Sequence, residues 1–287
     1  MGTTRFKIKH IKGDRVKNTI LIAITIILIG CGNDTHPPQI ENEDDTIYDK
    51  IEEYDENTAI APYNFNKFKE LLDNSKLQYP DNKAVVKAGE FEGYKSKIFY
   101  CDEFSYLHFT IDKNISIPKM RSELRDLREW KSSDLTPHKW YARLKTPKPK
   151  NGVASYTWMQ IHGTNNTYDF PILRLLWVRN YNGIKNHLWA IIITNEPREP
   201  RRVRGGDTGI VNDYSWVDLG ERPEDFFTAN VDVTDNTMII SINDKVFVHK
   251  DISYWSSVIN YFKSGVYINR HDDVGKSTVI FEQIISD

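Results

Sequence analysis

The feature that most restricts the fold of this chain is a succession of short, apolar-rich runs separated by turn signals. These runs fall at 84–88, 97–100, 107–111, 155–161, 172–179, 187–194, 227–233, 238–242, 245–249, 265–269 and 279–284. Asn243-Asp244 lies between two of them and is typical of a β-hairpin turn. Helical spacing of apolar residues is evident at 64–74. Many strands, a short helix and no repeat of fixed period predict an all-β sandwich or jelly roll, a fold that can place one concave sheet beneath a groove.

The N-terminal segment has the composition of a targeting signal. Residues 1–18 are basic, and residues 19–30 form an apolar run that is too short for a comfortable membrane span. Cys31 follows directly, as in bacterial lipoprotein signals, where this cysteine takes the lipid and becomes the mature N-terminus. An ordinary signal peptide and a short anchor helix are the alternatives. We therefore expect residues 1–30 to be a signal peptide and the mature protein to be lipid-anchored in the bacterial cell envelope.

The rest of the composition restricts the domain organisation and the partners. Residues 31–59 are acidic and poor in apolar side chains, which predicts a flexible tether before one domain over 60–287. The chain has 38 basic and 40 acidic residues and a formal net charge of −2, which argues against a nucleic-acid-binding protein. An anionic partner must therefore meet a local basic patch. If Cys31 carries lipid, Cys101 lacks a disulfide partner and is expected to be a buried apolar side chain.

Residues 261–269 predict a strand whose two faces differ. A period of two places Tyr261, Lys263, Gly265, Tyr267 and Asn269 on one face, and apolar or small residues on the other. The polar face carries phenols, an ammonium group and an amide, and its glycine leaves room for a group close to the backbone. Such a face suits a groove for a polyhydroxylated, anionic ligand, although an ordinary solvent-exposed face explains the same residues.

Two further segments predict polar faces of the same kind. If 121–125 is a strand, Arg121, Glu123 and Arg125 share a face, and ion pairing holds the guanidinium groups ready for a carboxylate. A solvated, charged strand or a helix over 121–131 explains these residues equally well.

The second of these segments is 156–163. Alternation places Tyr156, Trp158, Gln160 and His162 together, so that an amide and an imidazole lie beside an aromatic stacking surface. A single histidine is more often structural than catalytic, but the Gln160 amide beside it offers a hydrogen bond to a carboxyl group.

Together, and in this order, the three segments resemble the signature strands of the alginate lyases of polysaccharide lyase family 7. The matching residues are Arg121-Ser122-Glu123-Leu124-Arg125, Gln160-Ile161-His162 and Tyr261-Phe262-Lys263-Ser264-Gly265-Val266-Tyr267, with Ser264 where the family usually has alanine. The resemblance covers about residues 60–287. It implies a β-jelly roll whose concave sheet binds a uronic-acid polymer and cleaves it by β-elimination.

The resemblance also implies residue roles. Arg121 and Gln160 would neutralise the uronate carboxylate, and His162 and Tyr267 would supply the base and the acid, with Tyr267 as proton donor. Nearby Arg121 and Lys263 would help Tyr267 act as a base for one C5 configuration. The remaining substrate contacts would come from Arg125, Glu123, Lys263, Tyr261, Asn269 and Trp158. No cofactor and no metal are expected, because cationic side chains neutralise the carboxylate.

Other interpretations of the same segments are a lyase for another uronan such as glucuronan, a non-catalytic carbohydrate-binding lipoprotein, and a structural envelope lipoprotein. We expect a monomer that is attached to a membrane through a lipid anchor on Cys31. The arginine-rich stretch 198–204 belongs to a long loop predicted over 195–212, whose role the motifs do not assign.

Overall fold

The computed structural model describes residue 49 and residues 53–150, 152–164, 170–196 and 213–287, together with the backbone of 201–202 and 208–209. The predicted signal peptide, Cys31, most of the predicted tether and most of the stretch 198–204 lie outside the described residues. Within these described ranges, no helix is both long and apolar enough to cross a membrane.

The described residues form one α-helix, two 3₁₀ turns and a series of β-strands. Helix α1 is Asn66–Asp73, and the 3₁₀ turns are Pro62–Asn64 and Ser253–Trp255. The first strands are β1 (Ser75–Gln78), β2 (Ala84–Val86), β3 (Phe99–Cys101), β4 (Leu107–Lys113), β5 (Met120–Asp126), β6 (Trp130–Lys131), β7 (His138–Lys145), β8 (Ser155–Gly163) and β9 (Pro171–Tyr181). The later strands are β10 (Ile184–Ile193), β11 (Arg201–Arg202), β12 (Thr208–Gly209), β13 (Tyr214–Glu221), β14 (Phe227–Thr234), β15 (Thr237–Ile242), β16 (Lys245–Asp251), β17 (Ile259–Ile268) and β18 (Gly275–Ser286).

The strands build two antiparallel sheets, which confirms the predicted all-β jelly-roll sandwich. The nine-stranded sheet has the order β13-β10-β9-β8-β17-β5-β1-β2, with β6 paired to β17 outside this path. The seven-stranded sheet has the order β16-β15-β14-β7-β18-β4-β3. Sequence neighbours are often far apart in this order: β17, near the C-terminus, lies between β5 and β8. The fold therefore brings together three segments that are distant along the chain.

One large hydrophobic core includes side chains from both sheets. Leu124 and Val266 from the nine-stranded sheet and Phe109 and Trp140 from the seven-stranded sheet are almost completely buried in it. Burial of each such side chain contributes about 1.5–3 kcal/mol. Trp140 also donates its indole N–H to the Ser264 hydroxyl over 2.8 Å, which joins the two sheets inside the core. The alternation predicted for 261–269 is thus confirmed on its apolar face.

Several local predictions are confirmed. Helix α1 lies within 64–74, and β5 is a strand rather than part of a helix over 121–131. Asn243 and Asp244 have φ values of 47° and 63° and connect β15 to β16, as a two-residue hairpin turn requires. Cys101 is completely buried, and burial raises the pKa of its thiol.

Two predictions about local backbone structure need correction. The long loop predicted over 195–212 contains a short ribbon, because β11 and β12 pair through their backbones. The space at Gly265 is occupied by the neighbouring strand and not left for a ligand. A Cβ atom at Gly265, where φ is 145°, would lie 2.2 Å from the Ser122 carbonyl oxygen and 2.8 Å from the Glu123 Cα. The glycine therefore allows β5 and β17 to approach each other closely.

Candidate active site

A cleft of about 500 Å³ opens on the face of the nine-stranded sheet that points away from the core. All but two of the predicted catalytic and binding residues line it. They are Arg121, Arg125, Gln160, His162, Tyr261, Lys263, Tyr267 and Asn269. The two exceptions, Glu123 and Trp158, are buried.

The register of β17 with its two neighbours explains why these side chains meet. Lys263 is paired with Gln160 on β8 and with Arg125 on β5, and Tyr267 is paired with Arg121 on β5. Paired residues on adjacent strands point to the same face, and adjacent strands lie about 4.8 Å apart. Groups separated by many residues in the sequence therefore become immediate neighbours.

Glu123 forms the centre of a charged network beneath the cleft. Its carboxylate lies 2.7 Å from the Lys263 ammonium and 3.3 Å from an Arg121 guanidinium nitrogen, and it accepts a 2.6 Å hydrogen bond from the Gln160 amide. Burial alone would raise the pKa of Glu123. The charges of Lys263 and Arg121, with the hydrogen bonds from Lys263 and Gln160, outweigh this effect and lower the pKa. Glu123 therefore stays ionised.

Glu123 is completely buried and, unlike Gln160 and Lys263, does not line the cleft, so the prediction that it contacts substrate is corrected to a positioning role. Its carboxylate fixes the side chain of Gln160 and balances part of the charge of Arg121. The amide nitrogen of Gln160 has two hydrogens, and the bond to Glu123 uses one of them. The other can be donated to a ligand carboxylate in the cleft.

Tyr267 lies beneath Arg121 and is almost buried. The Arg121 guanidinium carbon is 4.2 Å from the centre of the Tyr267 ring. Burial raises the pKa of Tyr267, and the opposing effects of Arg121 and Arg174 do not cancel it. The Lys263 ammonium, which the sequence predicts to assist Tyr267, lies 2.7 Å from the Glu123 carboxylate. The resting phenol therefore keeps its proton, which suits a proton donor and not a ready base.

His162 is oriented by contacts to one of its ring nitrogens. Nδ1 is 2.9 Å from the Gly163 carbonyl oxygen and 3.2 Å from the Tyr261 hydroxyl, and the two rings stack at 5.4 Å. A carbonyl oxygen only accepts hydrogen bonds, so Nδ1 carries the hydrogen and Nε2 of the neutral ring is the proton acceptor. Arg125 covers Tyr261, with its guanidinium carbon 4.0 Å from the ring centre, and pairs with Glu129 at 2.6 Å.

The cleft is cationic although the whole chain is slightly acidic. Its basic side chains are Lys76, Lys119, Arg121, Arg125, Arg174 and Lys263. Within the described residues, Glu123 pairs with Arg121 and Lys263, and Glu129 pairs with Arg125. In the part of the chain that the structure describes, no group of three or more His, Cys, Asp or Glu side chains could hold a metal ion. The arrangement is suited to an anionic ligand that gives a proton to His162 and takes one from Tyr267.

A family model described as alginate lyase matches residues 70–286, which is more than half of the chain. The chain belongs to the alginate lyase family. It is therefore a polysaccharide lyase, as the three signature segments predict.

Individual relatives agree with this assignment. An alginate lyase of Photobacterium sp. (strain ATCC 43367) is 29% identical over 256 residues, which is 78% of this chain and 86% of the relative. Alginate lyase AlyC3 has a TM-score of 0.70 and 23% identity, covering 83% of this chain and 99% of its own. Alginate lyase A1-II′, a member of polysaccharide lyase family 7, has a TM-score of 0.58 and 19% identity, covering 80% of this chain and 98% of its own. These structures share the fold of the lyase.

Trp158 is a predicted cleft residue that lies in the core of the lyase instead of the cleft. Its side chain is completely buried and packs against Trp140 at 5.9 Å and Phe227 at 6.0 Å. The register of β8 with β9 shifts between Thr157 and Met159, so the alternation that leads to Gln160 and His162 does not continue back to Trp158. The predicted stacking contact between Trp158 and the substrate is therefore wrong.

Arg174 is a cleft residue that the sequence analysis missed. It lies on β9 directly opposite Gln160 and lines the cleft. Its signal in the sequence was a single charge within the apolar run 172–178. On a strand otherwise rich in Leu and Ile, a lone arginine indicates a face that is not part of the core.

Proposed function

We propose that this lyase cleaves alginate by a metal-independent β-elimination, with Arg121 and Gln160 neutralising the sugar carboxylate, His162 acting as base and Tyr267 as acid. The observation that carries this proposal is the convergence of a guanidinium, an amide, an imidazole and a phenol from β5, β8 and β17 in one cleft. Membership of the alginate lyase family supports it.

The first requirement of the reaction is to make the C5 proton acidic. This proton lies next to a carboxylate, and removing it places further negative charge on a group that is already anionic. Arg121 contributes a positive charge, and Gln160 contributes the N–H that Glu123 does not use. Fixed donors of this kind stabilise a developing oxyanion without reorganisation during the reaction. Their anchoring by Glu123 is what makes them fixed.

The second requirement is the transfer of two protons. Nε2 of His162 accepts the C5 proton, and the electron pair of the C5–H bond becomes the second bond between C4 and C5. The C4–O4 bond breaks, and O4 takes the phenolic proton of Tyr267. The products are a chain with a new hydroxyl group and a chain with an unsaturated terminal uronate. The two protein groups then exchange protons with solvent and return to their resting states.

The raised pKa of Tyr267 favours the donor role in this scheme. A substrate whose C5 configuration requires Tyr267 to act as both base and acid must first meet an ionised phenol. For such a substrate the rate should rise with pH more steeply than for one that uses His162 as base. Comparison of pH–rate profiles for mannuronate and guluronate oligomers measures this difference.

Known ligands of related structures support a uronate substrate. Alginate lyase AlyC3 has been solved in complex with dimannuronate, and A1-II′ with the product GGG. The test is incubation with alginate, mannuronate-rich and guluronate-rich polymers and glucuronan, followed by ultraviolet absorbance of the unsaturated product. Cleavage of glucuronan but not of alginate would show that the substrate is another uronan. Retention of alginate in a gel without new chain ends would identify a carbohydrate-binding protein instead.

We also propose that the enzyme is a monomer attached to the cell envelope by a lipid on Cys31. The apolar run 19–30 and the cysteine that follows it support this proposal. Mass spectrometry of the mature protein measures the lipid, and Cys31→Ala should release the enzyme from the membrane fraction. If the mature wild-type protein has the mass of the unlipidated chain, the lipidation proposal fails, even if Cys31→Ala leaves the membrane fraction. Light scattering of the soluble variant tests the monomer.

A further inference from the structure

One row of paired residues crosses the nine-stranded sheet and runs through the cleft. From β13 to β1 it consists of Trp216, Ile191, Arg174, Gln160, Lys263, Arg125 and Lys76. Neighbouring members lie about one strand spacing apart, which is about 4.8 Å. Arg174 is therefore one strand from Gln160, on the side opposite Lys263. A polymer that crosses the strands would place successive sugars along this row.

Arg174 differs from the other two arginines of the cleft in its partners. Arg121 is paired with Glu123, and Arg125 is paired with Glu129. No carboxylate is paired with Arg174 among the residues that the structure describes. The phenols of Tyr214 and Tyr267 are its neighbours in the cleft. A partly buried guanidinium is always charged and is costly to leave without an anion.

The row changes character immediately beyond Arg174. The next two members, Ile191 and Trp216, are apolar, and Trp216 stacks on Tyr181 at 4.3 Å. Arg174 is thus the last charged group at this end of the row. At the other end, Arg125 and Lys76 continue the positive charge.

We propose that Arg174 binds the carboxylate of the sugar next to the reacting one and is, among the residues that the structure describes, the outermost charged contact for the polymer on the β9 side. The inference rests on the proposed function, because Gln160 is assigned there to the carboxylate of the reacting sugar. A guanidinium can hold a carboxylate through two parallel hydrogen bonds, which fixes the orientation of the bound sugar as well as its position. Arg174 is then a substrate-positioning and specificity-determining residue.

The test uses Arg174→Gln and Arg174→Lys with uronate oligomers of increasing length, and it determines kcat and KM separately. For oligomers long enough to reach Arg174, we expect Arg174→Gln to raise KM about ten- to a hundredfold, with kcat within about twofold of wild type. For shorter oligomers that are still cleaved, kcat and KM should be the same in wild type and Arg174→Gln. Arg174→Lys should recover part of the loss, since it keeps the charge but not the planar fork.

Arg143→Gln is the matched control, because Arg143 lies on the seven-stranded sheet in an exposed ion pair with Glu282. Its KM should be unchanged at every length. An unchanged KM in Arg174→Gln would overturn the proposal. So would a loss of kcat that is independent of length and accompanied by a shifted pH profile, because that result would mean that Arg174 acts through Tyr267.

A binding measurement separates failure of this inference from failure of the proposed function. Calorimetry measures the affinity of Tyr267→Phe and of the double variant Tyr267→Phe/Arg174→Gln for a uronate pentamer. Both proteins lack the proposed proton donor, so cleavage of the ligand does not disturb the measurement. If the double variant binds the pentamer at least about tenfold more weakly than Tyr267→Phe, the contact is supported even if the wild type cleaves no uronan. Equal binding by the two folded proteins overturns the contact even if the wild type is an active alginate lyase. Thermal unfolding of each variant checks that the protein compared is folded.

Discussion

The two sheets each carry an Arg–Glu contact, and the two contacts lie in opposite environments. On the seven-stranded sheet, Arg143 and Glu282 are 2.9 Å apart, with side chains 40% and 37% exposed. Beneath the cleft, Arg121 and Glu123 are 3.3 Å apart, with side chains 14% and 0% exposed. Water and ions screen the first pair, whose contribution is about 0–1 kcal/mol. The second pair depends on its protein partners, because little water reaches it.

The difference shows how the lyase uses burial to fix the geometry of its site. We call Arg121, Gln160, Glu123 and Lys263 the cleft network and Arg143–Glu282 the outer pair. In the outer pair either side chain can turn into solvent at little cost. In the cleft network Glu123 has three partners, so movement of one leaves a buried charge incompletely compensated. Catalytic donors benefit from such a constraint, whereas surface charges do not need it.

The largest effect on activity is expected for removal of the phenolic hydroxyl in the cleft. Tyr267→Phe removes the proposed proton donor and leaves the ring under Arg121 in place. We expect kcat to fall about a thousandfold with a modest change in binding. Tyr141→Phe, on the seven-stranded sheet, is the control and should retain full activity. Full activity of Tyr267→Phe in the ultraviolet assay would disprove the assigned role even though the family assignment would stand.

The largest effect on stability is expected for the carboxylate of the cleft network. Glu123→Gln keeps the shape of the side chain but leaves Lys263 and Arg121 without their buried counter-charge. We expect the free energy of unfolding to fall by about 3–5 kcal/mol. Glu282→Gln in the outer pair should change it by less than about 0.5 kcal/mol. Denaturant unfolding of both variants measures the contrast, and equal losses would show that burial does not separate the two contacts.

Acid should reduce this contrast, and the direction follows from the pKa of Glu123. That pKa is lower in the folded protein than in the unfolded chain, so the folded state binds fewer protons. The stabilisation is present above the unfolded-state pKa of about 4.3 and is lost as pH falls through the lower folded-state pKa. The stability difference between wild type and Glu123→Gln should therefore shrink on acidification below about pH 4. A difference that stays constant down to global acid unfolding would mean that Glu123 does not ionise as described.

The sequence predicted the polar faces of the cleft strands because alternation along a strand is a local property. It placed Arg121 and Arg125 on one face of β5 and Tyr261, Lys263 and Tyr267 on one face of β17, and all five line the cleft. The β-sandwich architecture was likewise predictable from the spacing of strands and turns. Strand β7 was missed, although its inward-facing residues alternate regularly, because its outward positions are polar and charged.

The errors concern features that depend on distant parts of the chain. Trp158 does not lie on the predicted face of β8, because the pairing of β8 with β9 shifts in register next to it. Gly265 accommodates the backbone of β5, which the sequence of β17 alone cannot indicate. Glu123 looked like a ligand contact because its partners Lys263 and Gln160 lie on other strands. Burial in this sheet is a result of the pairing of strands that are far apart in sequence.

The smallest effect is expected at the edge of the cleft network, where a hydroxyl orients the proposed base. Tyr261→Phe removes the 3.2 Å contact to Nδ1 of His162 but keeps the ring that stacks on His162 and lies under Arg125. The Gly163 carbonyl still accepts the Nδ1 hydrogen at 2.9 Å, so the tautomer should be preserved.

We expect kcat of Tyr261→Phe to fall only about twofold to tenfold, the loss of one modest hydrogen bond. Tyr261→Ala should lose more, because it also removes the stacking surface. The pH–rate profiles of both variants, measured beside that of Tyr267→Phe, separate orientation of the base from donation of a proton. If Tyr261→Phe is as inactive as Tyr267→Phe, the two phenols of β17 share the proton transfer, and the assignment of the acid to Tyr267 alone fails.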